Sequence, residues 1–140
     1  MKVDFLISEE VRPEANGKFT VLGLFPGNIV ILMKGTRLKD TPEETPDFFE
    51  KLVFLVVASD MSEGRHKFSG SLTDPAGKTM KSKEAFGEAD VKKGFTHAII
   101  LEMKPFTVRL FGLYTFNFFV DRKKFSFPFE IREQIEKLQI

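Results

Sequence analysis

The sequence contains no cysteine and no tryptophan, and it has one tyrosine and two histidines among 140 residues. Without cysteine there are no disulfide bonds, thiolate metal ligands or cysteine nucleophiles, and nothing argues for an oxidising compartment. The aromatic content consists almost entirely of 17 phenylalanines. Phenylalanine lacks the polar atom that suits tyrosine and tryptophan to wet interfaces. This balance predicts a dry aromatic core and weighs against a sugar-binding platform of stacked rings.

Long apolar runs and excess charge of either sign are also missing. No segment approaches the ~20 apolar residues of a membrane helix, and the first apolar run is too short for a signal peptide. The 21 basic and 20 acidic side chains leave a net charge of +1, which gives no reason to expect nucleic acid as a partner. We therefore expect a cytoplasmic protein without membrane contact, folded as one domain over residues 1–140.

The pattern that is present alternates with period two from Gly112 to Ile131. Apolar residues occupy every second position on both sides of a charged turn at 121–124, which predicts a β-hairpin. Each predicted strand carries four large apolar side chains on one face, so the hairpin needs a second sheet to pack against. These residues are Tyr114, Phe116, Phe118 and Val120, then Phe125, Phe127, Phe129 and Ile131.

Shorter alternating runs separated by turn signals fill most of the remaining chain. Asn16-Gly17, Pro26-Gly27 and Asp74–Gly77 mark turns. The sequence predicts an all-β fold, an antiparallel sandwich of seven to nine strands of immunoglobulin-like or jelly-roll-like type. It does not decide whether the strands form a sandwich or close into a barrel. Residues 34–51 are predicted as a connection with at most a short helical turn near 46–51. The spacing of Ile131, Ile135 and Leu138 predicts a short C-terminal helix or a frayed tail.

The order of these elements resembles a family of small bacterial proteins that is known only as a domain of unknown function. The resemblance rests on Asn16–Lys18 with Val21–Gly23, the Asp74–Gly77 turn, Gly112–Phe116 and Pro128–Ile131. It implies a β-sandwich, and it brings no activity, cofactor or catalytic residue with it.

Candidate catalytic and metal-binding groups are sparse. His97 lies on the apolar side of its predicted strand and is interpreted as a packing residue, whereas His66 lies at a turn between Arg65 and Lys67 and is expected to be solvated. The aspartates do not form Asp-x-Asp pairs, and no serine elbow or phosphate-binding glycine loop occurs. We therefore predict no catalytic residue, no cofactor, no metal site and no enzymatic activity.

The residues left as candidates for contact with a partner lie in the hairpin. Phe119 adjoins Val120, so the side chain of one of the two points away from the core. Arg122, Lys123 and Lys124 form the charged tip of the hairpin. Two main interpretations remain, beside a third, an enzyme with an unfamiliar site around His97. The preferred one is a structural or protein-interaction module that contacts another protein or a second copy of itself, as a homodimer, through a sheet face or strand edge. The alternative is a carrier of a small apolar ligand in a Phe-lined β-barrel, in which Phe116, Phe118, Phe127 and Phe129 would line a cavity.

Overall fold

A computed structural model describes residues 1–34 and 47–135, and nearly all regular structure in them is β-strand. Single turns of 3-10 helix occur at Ala15–Gly17 and Pro26–Asn28. The strands are β1 (Lys2–Pro13), β2 (Phe19–Leu24), β3 (Ile29–Lys34), β4 (Asp47–Phe49), β5 (Leu52–Ser59), β6 (Gly64–Thr73), β7 (Thr79–Val91), β8 (His97–Met103), β9 (Phe106–Val108), β10 (Gly112–Val120) and β11 (Lys123–Ile135).

Nine of these strands form two sheets. The first sheet has the order β2-β1-β5-β8, the second has the order β3-β11-β10-β6-β7, and β4 pairs separately with β9. All neighbours are antiparallel except β3 and β11, which run parallel. None of the three sheets in this part of the chain closes on itself, and the two large sheets share one core. The predicted all-β sandwich is confirmed.

The core lies between the two sheets and is built largely from phenylalanine rings. Phe5 on the first sheet stacks on Phe116 and Phe127 of the second sheet, with ring centroids 5.4 and 5.1 Å apart. Phe54 meets Phe116 edge-on at 5.1 Å and Phe129 at 5.3 Å. Stacked and edge-on rings at these distances attract each other beyond the effect of burial alone. The prediction of an aromatic core built from phenylalanine is confirmed.

The predicted hairpin forms as expected, in continuous register from Gly112 opposite Ile131 to Val120 opposite Lys123. The Asn16-Gly17 turn also forms, with φ of 67° and 72°, the positive values that a tight hairpin turn of this kind requires. Both faces of β5 are apolar and buried. Phe54 belongs to the main core, whereas Val53 and Leu55 form a smaller cluster with Val11 on the opposite face.

Two predicted helical segments are wrong. The turn near 46–51 contains β4, whose residues Asp47–Phe49 pair with β9. The C-terminal segment continues as β11 to Ile135, where pairing with β3 satisfies the backbone as a strand, and Leu138 lies outside the described residues. No helix within residues 1–34 and 47–135 is long and apolar enough to cross a membrane.

Candidate functional site

The tip of the β10–β11 hairpin is fastened to the beginning of β6 by Asp121. This residue adopts the left-handed conformation, with φ of 54°, and its N–H donates to the carbonyl of Lys67 at 2.8 Å. The Asp121 carboxylate accepts in return from the Lys67 N–H at 2.9 Å. Aspartate tolerates this backbone conformation better than most residues and offers an acceptor close to its own backbone. The predicted turn-forming role of Asp121 is confirmed.

His66 adds a third segment to this connection, because its ring contacts both Asp121 and Ser62. We call these two contacts of His66 the clamp. The His66 Nδ1 atom lies 2.7 Å from Asp121 Oδ2, and its Nε2 atom lies 2.7 Å from the carbonyl oxygen of Ser62. Only 8% of His66 is exposed, so the prediction of a solvated side chain is wrong. A backbone carbonyl only accepts hydrogen bonds, and so does an ionised carboxylate. Both contacts are satisfied together only when both ring nitrogens carry protons, so the clamp favours the imidazolium form.

The electrostatics of the clamp agree with its geometry. The pKa of His66 is raised above its ordinary value, most strongly by the hydrogen bond to the Ser62 carbonyl and next by the hydrogen bond to the Asp121 carboxylate. The pKa of Asp121 is lowered below its ordinary value, most strongly by the hydrogen bond from the Lys67 amide and next by the hydrogen bond with His66. Each partner thus favours the charged form of the other.

Asp121, His66 and Ser62 have the residue types of a hydrolytic triad, but the arrangement differs from one. Ser62 Oγ lies 3.5 Å from His66 Nε2, at the limit of a hydrogen bond, whereas the Ser62 carbonyl lies at 2.7 Å. In a triad the corresponding nitrogen must carry a lone pair that accepts the serine proton. Here that nitrogen donates its proton to a carbonyl, so His66 does not act as a base in this geometry.

A shallow cavity of about 420 Å³ lies beside the clamp and includes two of the predicted contact residues, Arg122 and Lys123. Asp60 and Asp121 line the same cavity, so basic and acidic groups are mixed there. Behind it, Glu88 contacts Arg65 and Lys67. A polyanion would meet these carboxylates together with the basic side chains.

The four predicted contact residues are not brought together on one surface. Phe119 and Lys124 are cross-strand neighbours on the face of the second sheet opposite the core, and Phe119 is half-buried there. Arg122 is exposed at the turn, and Lys123 Nζ lies 5.5 Å from the centre of the Phe125 ring. The structure thus divides the predicted contact set between the tip and the back of the sheet.

His97 and Asp74 have the structural roles that the sequence predicts for them. The ring of His97 is half-buried and stacks on Phe68, with centroids 4.8 Å apart. Asp74 Oδ1 accepts from the N–H groups of Ala76 and Lys78, both at 2.9 Å, and so forms its turn. Across the part of the chain that the structure describes, His, Asp and Glu side chains nowhere form a group of three that could hold a metal ion.

A second feature lies on the open side of the sandwich, where β8 forms an edge of the first sheet. An apolar cleft of about 210 Å³ adjoins this edge. Residues from both faces of β8 line it, which shows that the cleft reaches the strand edge itself. Its lining comprises Ile100, Leu101, Glu102 and Met103 of β8 with Gly70, Ser71, Leu72, Phe86, Phe54 and Phe116.

The edge of β8 is regular and apolar. Seven consecutive residues pair with β5, from His97 opposite Ala58 to Met103 opposite Leu52, without a bulge. Among the described strands, only β5 pairs with β8. Glu102 is the one acidic residue in the strand, and there is no proline. Long apolar edges without charge, proline or bulge are templates for pairing with another strand.

Two of the other described edges, β7 and β2, differ from β8 in this respect, whereas β3 pairs with β11 over six consecutive residues without a register shift. β7 pairs with β6 through three register shifts and contains Gly87 at φ of 121°. In β2, Gly23 adopts φ of 65°, and the Glu9 side chain fills the space beside it. Such irregularities are a common means of protecting a sheet edge. The β8 edge has no comparable interruption.

The shape of the cleft depends on Gly70, because the Phe86 ring lies directly against its backbone. A Cβ atom at residue 70 would lie 2.6 Å from Phe86 Cε2 and 3.1 Å from the carbonyl oxygen of Asn117. We expect Gly70→Ala to displace Phe86 into the cleft and to lower the free energy of unfolding by about 1–3 kcal/mol. Urea denaturation measures this change as a shift of the unfolding midpoint. An unchanged midpoint for Gly70→Ala would contradict the close packing.

The geometry thus presents two features, the tip clamp and an open strand edge beside a cleft. Comparison with known proteins adds no assignment. No protein-family model and no curated protein matches this chain. The roles of the two features therefore follow from their physical chemistry alone.

Sequence reasoning missed the clamp and the β8 cleft for different reasons. His66 and Asp121 are 55 positions apart, and no local pattern announces such a pair. The apolar run Ala98–Leu101 is typical of a strand with two apolar faces. Its position at an edge depends on the strand order, which periodicity does not encode.

Proposed function

We propose that this protein is a non-enzymatic protein-interaction module, and that the edge of β8 is its binding element. An extended segment of a partner would pair with β8 through main-chain hydrogen bonds and extend the first sheet by one strand. The observation that carries this proposal is the coincidence of an uninterrupted apolar edge with the adjoining 210 Å³ cleft. In strand addition, the backbone provides affinity and pockets for alternate side chains provide specificity.

The cleft suits one apolar side chain of such a segment. Leu101 and Met103 form one wall, and Leu72 and Phe86 form the other. In an added strand, every second side chain would point in the same direction as Leu101, toward the second sheet. A leucine or phenylalanine of the partner segment at that position would move from water into the mostly apolar cleft, which is favourable. This supports an apolar residue of the partner as the specificity determinant.

The carrier interpretation has less support. It requires a cavity among Phe116, Phe118, Phe127 and Phe129, but Phe116 and Phe127 are in stacking contact with Phe5, and Phe129 meets Phe54 edge-on. The described sheets are also open, whereas that interpretation assumed a barrel. The cleft at β8 is smaller than the ~300–1,000 Å³ that is usual for ligand pockets.

Two further aspects of the proposal rest on the sequence alone. We propose that the protein acts in the cytoplasm, and its proposed kinship with the small bacterial family rests on the turns that the two share. The absence of enzymatic activity has one geometric argument in its favour, since the Nε2 proton of His66 is donated to a carbonyl.

To test this proposal, short peptides are selected from a random display library on the immobilised parent protein. Their affinities are then measured for the parent and for two variants. Ile100→Lys places a charge on the β8 edge, and Leu24→Lys places the same charge on β2, at the opposite edge of the same sheet. We expect selected peptides with alternating apolar residues. We also expect Ile100→Lys to weaken them roughly tenfold or more, about 1.4 kcal/mol, while Leu24→Lys leaves them unchanged.

Both substituted side chains are partly exposed, so the variants should keep the parent fold, which circular dichroism and thermal melting verify. Peptides that bind Ile100→Lys as well as the parent would contradict the proposal. Failure to enrich any peptide with an extended apolar pattern would also contradict it.

A further inference from the structure

The sequence of β8 is compatible with pairing to itself in antiparallel orientation. In such a pair, residues opposite each other point to the same face, so a twofold axis must pass through one residue. An axis through Ile100, the centre of His97–Met103, gives the full seven-residue overlap. Ile99 then faces Leu101 of the second copy, and His97 faces Met103.

This register also avoids opposing like charges. Glu102, the one acidic residue of the strand, would face Ala98 of the second copy rather than another carboxylate. Moving the axis to residue 102 would place the two Glu102 side chains opposite each other, which destabilises a strand pair. Charge and overlap therefore favour the same register.

Apart from Glu102 and His97, the side chains of the pair would be apolar on both faces. On the core side, Ile99 of the second copy would lie beside Leu101, at the mouth of the cleft that Leu101 helps to line. On the other face, two Ile100 side chains would meet across the axis. That face continues into the apolar cluster of Val53 and Leu55, with which Ile100 packs. The second copy therefore fits both the edge and the cleft.

We infer that the partner strand at β8 is the β8 strand of a second copy, so that the protein forms a twofold dimer with one continuous eight-stranded sheet. This inference rests on the proposed function, because it names the occupant of the same edge. Each four-stranded first sheet contributes its open side, and neither copy retains a free β8 edge. A single strand pair is a small interface, so the dimer should depend on protein concentration.

The test is size-exclusion chromatography with light scattering on the full chain over a wide concentration series. We expect a rise from the monomer mass of 16.0 kDa toward twice that mass. Ile100→Lys should remain monomeric, because two lysines would meet on the axis, and so should Ile100→Glu. An equimolar mixture of the Ile100→Lys and Ile100→Glu proteins should recover the dimer, because opposite charges then face each other. Leu24→Lys, on the far edge, should dimerise like the parent.

Recovery of the dimer in the mixture of the two charged variants is specific to the proposed register, because it requires residue 100 of one copy to face residue 100 of the other. A parent protein that stays monomeric at the highest concentration would overturn the inference. A parent dimer that Ile100→Lys leaves intact would overturn it as well. Either result is separate from the peptide experiment: a monomer whose β8 edge still binds selected peptides retains the proposed function but has a different partner.

Discussion

Replacing Phe54 with alanine should lower the free energy of unfolding by about 3–5 kcal/mol. Phe54 is 1% exposed, and its ring contacts Phe5 on its own sheet and Phe116 and Phe129 on the other. Removing the ring leaves a cavity at the point where the two sheets meet. The same substitution also removes three edge-on aromatic contacts. Against a stability of roughly 5–15 kcal/mol for an ordinary domain, such a loss is large.

Equilibrium urea denaturation measures this effect, and two further phenylalanines provide controls. Phe127 is only half-buried, so Phe127→Ala should cost less than Phe54→Ala. Phe95 is 63% exposed, so Phe95→Ala should change the midpoint little. An equal midpoint for the Phe54→Ala and Phe95→Ala proteins would contradict the aromatic core described above.

The second large effect concerns the clamp at the hairpin tip. Asp121→Ala removes the acceptor for both His66 and the Lys67 amide, and it places alanine at a φ of 54°. We expect a loss of about 2 kcal/mol, since the carboxylate is partly solvated and its interactions are screened. Asp121→Asn is the matched variant. Asparagine tolerates the same backbone conformation, and its amide can donate to Nδ1 of a neutral His66, so this change should cost less.

The clamp also predicts how stability depends on pH. Because folding raises the pKa of His66, its contribution is fully present below the unfolded pKa of about 6.5 and is lost as pH rises through the folded pKa. Because folding lowers the pKa of Asp121, its contribution is present above about pH 4 and is lost as pH falls through the folded value. The clamp should therefore stabilise the fold most between about pH 4 and 6.5.

Nuclear magnetic resonance titration of the histidine ring tests this directly. The signal that disappears in His66→Gln should titrate above the ordinary histidine range in the parent, and at a lower pH in Asp121→Asn. The fall in stability above neutral pH should diminish in the same variant. Titration of His66 at its ordinary pKa in the parent would contradict the imidazolium clamp.

Much of the sandwich could be predicted from the sequence, because its central hairpin has strict alternation over both strands. The prediction of a C-terminal helix failed because the spacing of its apolar residues is ambiguous. Ile131 and Ile135 are four positions apart, which fits one face of a helix and also one face of a strand. Parallel pairing with β3 decided for the strand, and that pairing depends on residues about a hundred positions away.

The strand β7 shows a different limit of sequence reasoning. Its residues 81–91 are charged and contain Gly87, and they have no clear period. The structure explains this by three register shifts against β6, each of which interrupts the alternation of faces. The clamp and the β8 edge were beyond local prediction for a related reason. Both depend on which strands the fold makes neighbours, and only the tertiary structure supplies that information.

Amide hydrogen exchange along β8 tests the central claim, that this edge pairs with another strand. At low protein concentration, the N–H groups of alternate residues in His97–Met103 point away from β5 and should exchange rapidly. With a selected peptide or at high protein concentration, the same alternate amides should become protected, while those of β2 at the opposite edge stay unchanged. Protection that appears elsewhere and leaves the outward amides of β8 in fast exchange would contradict the claim.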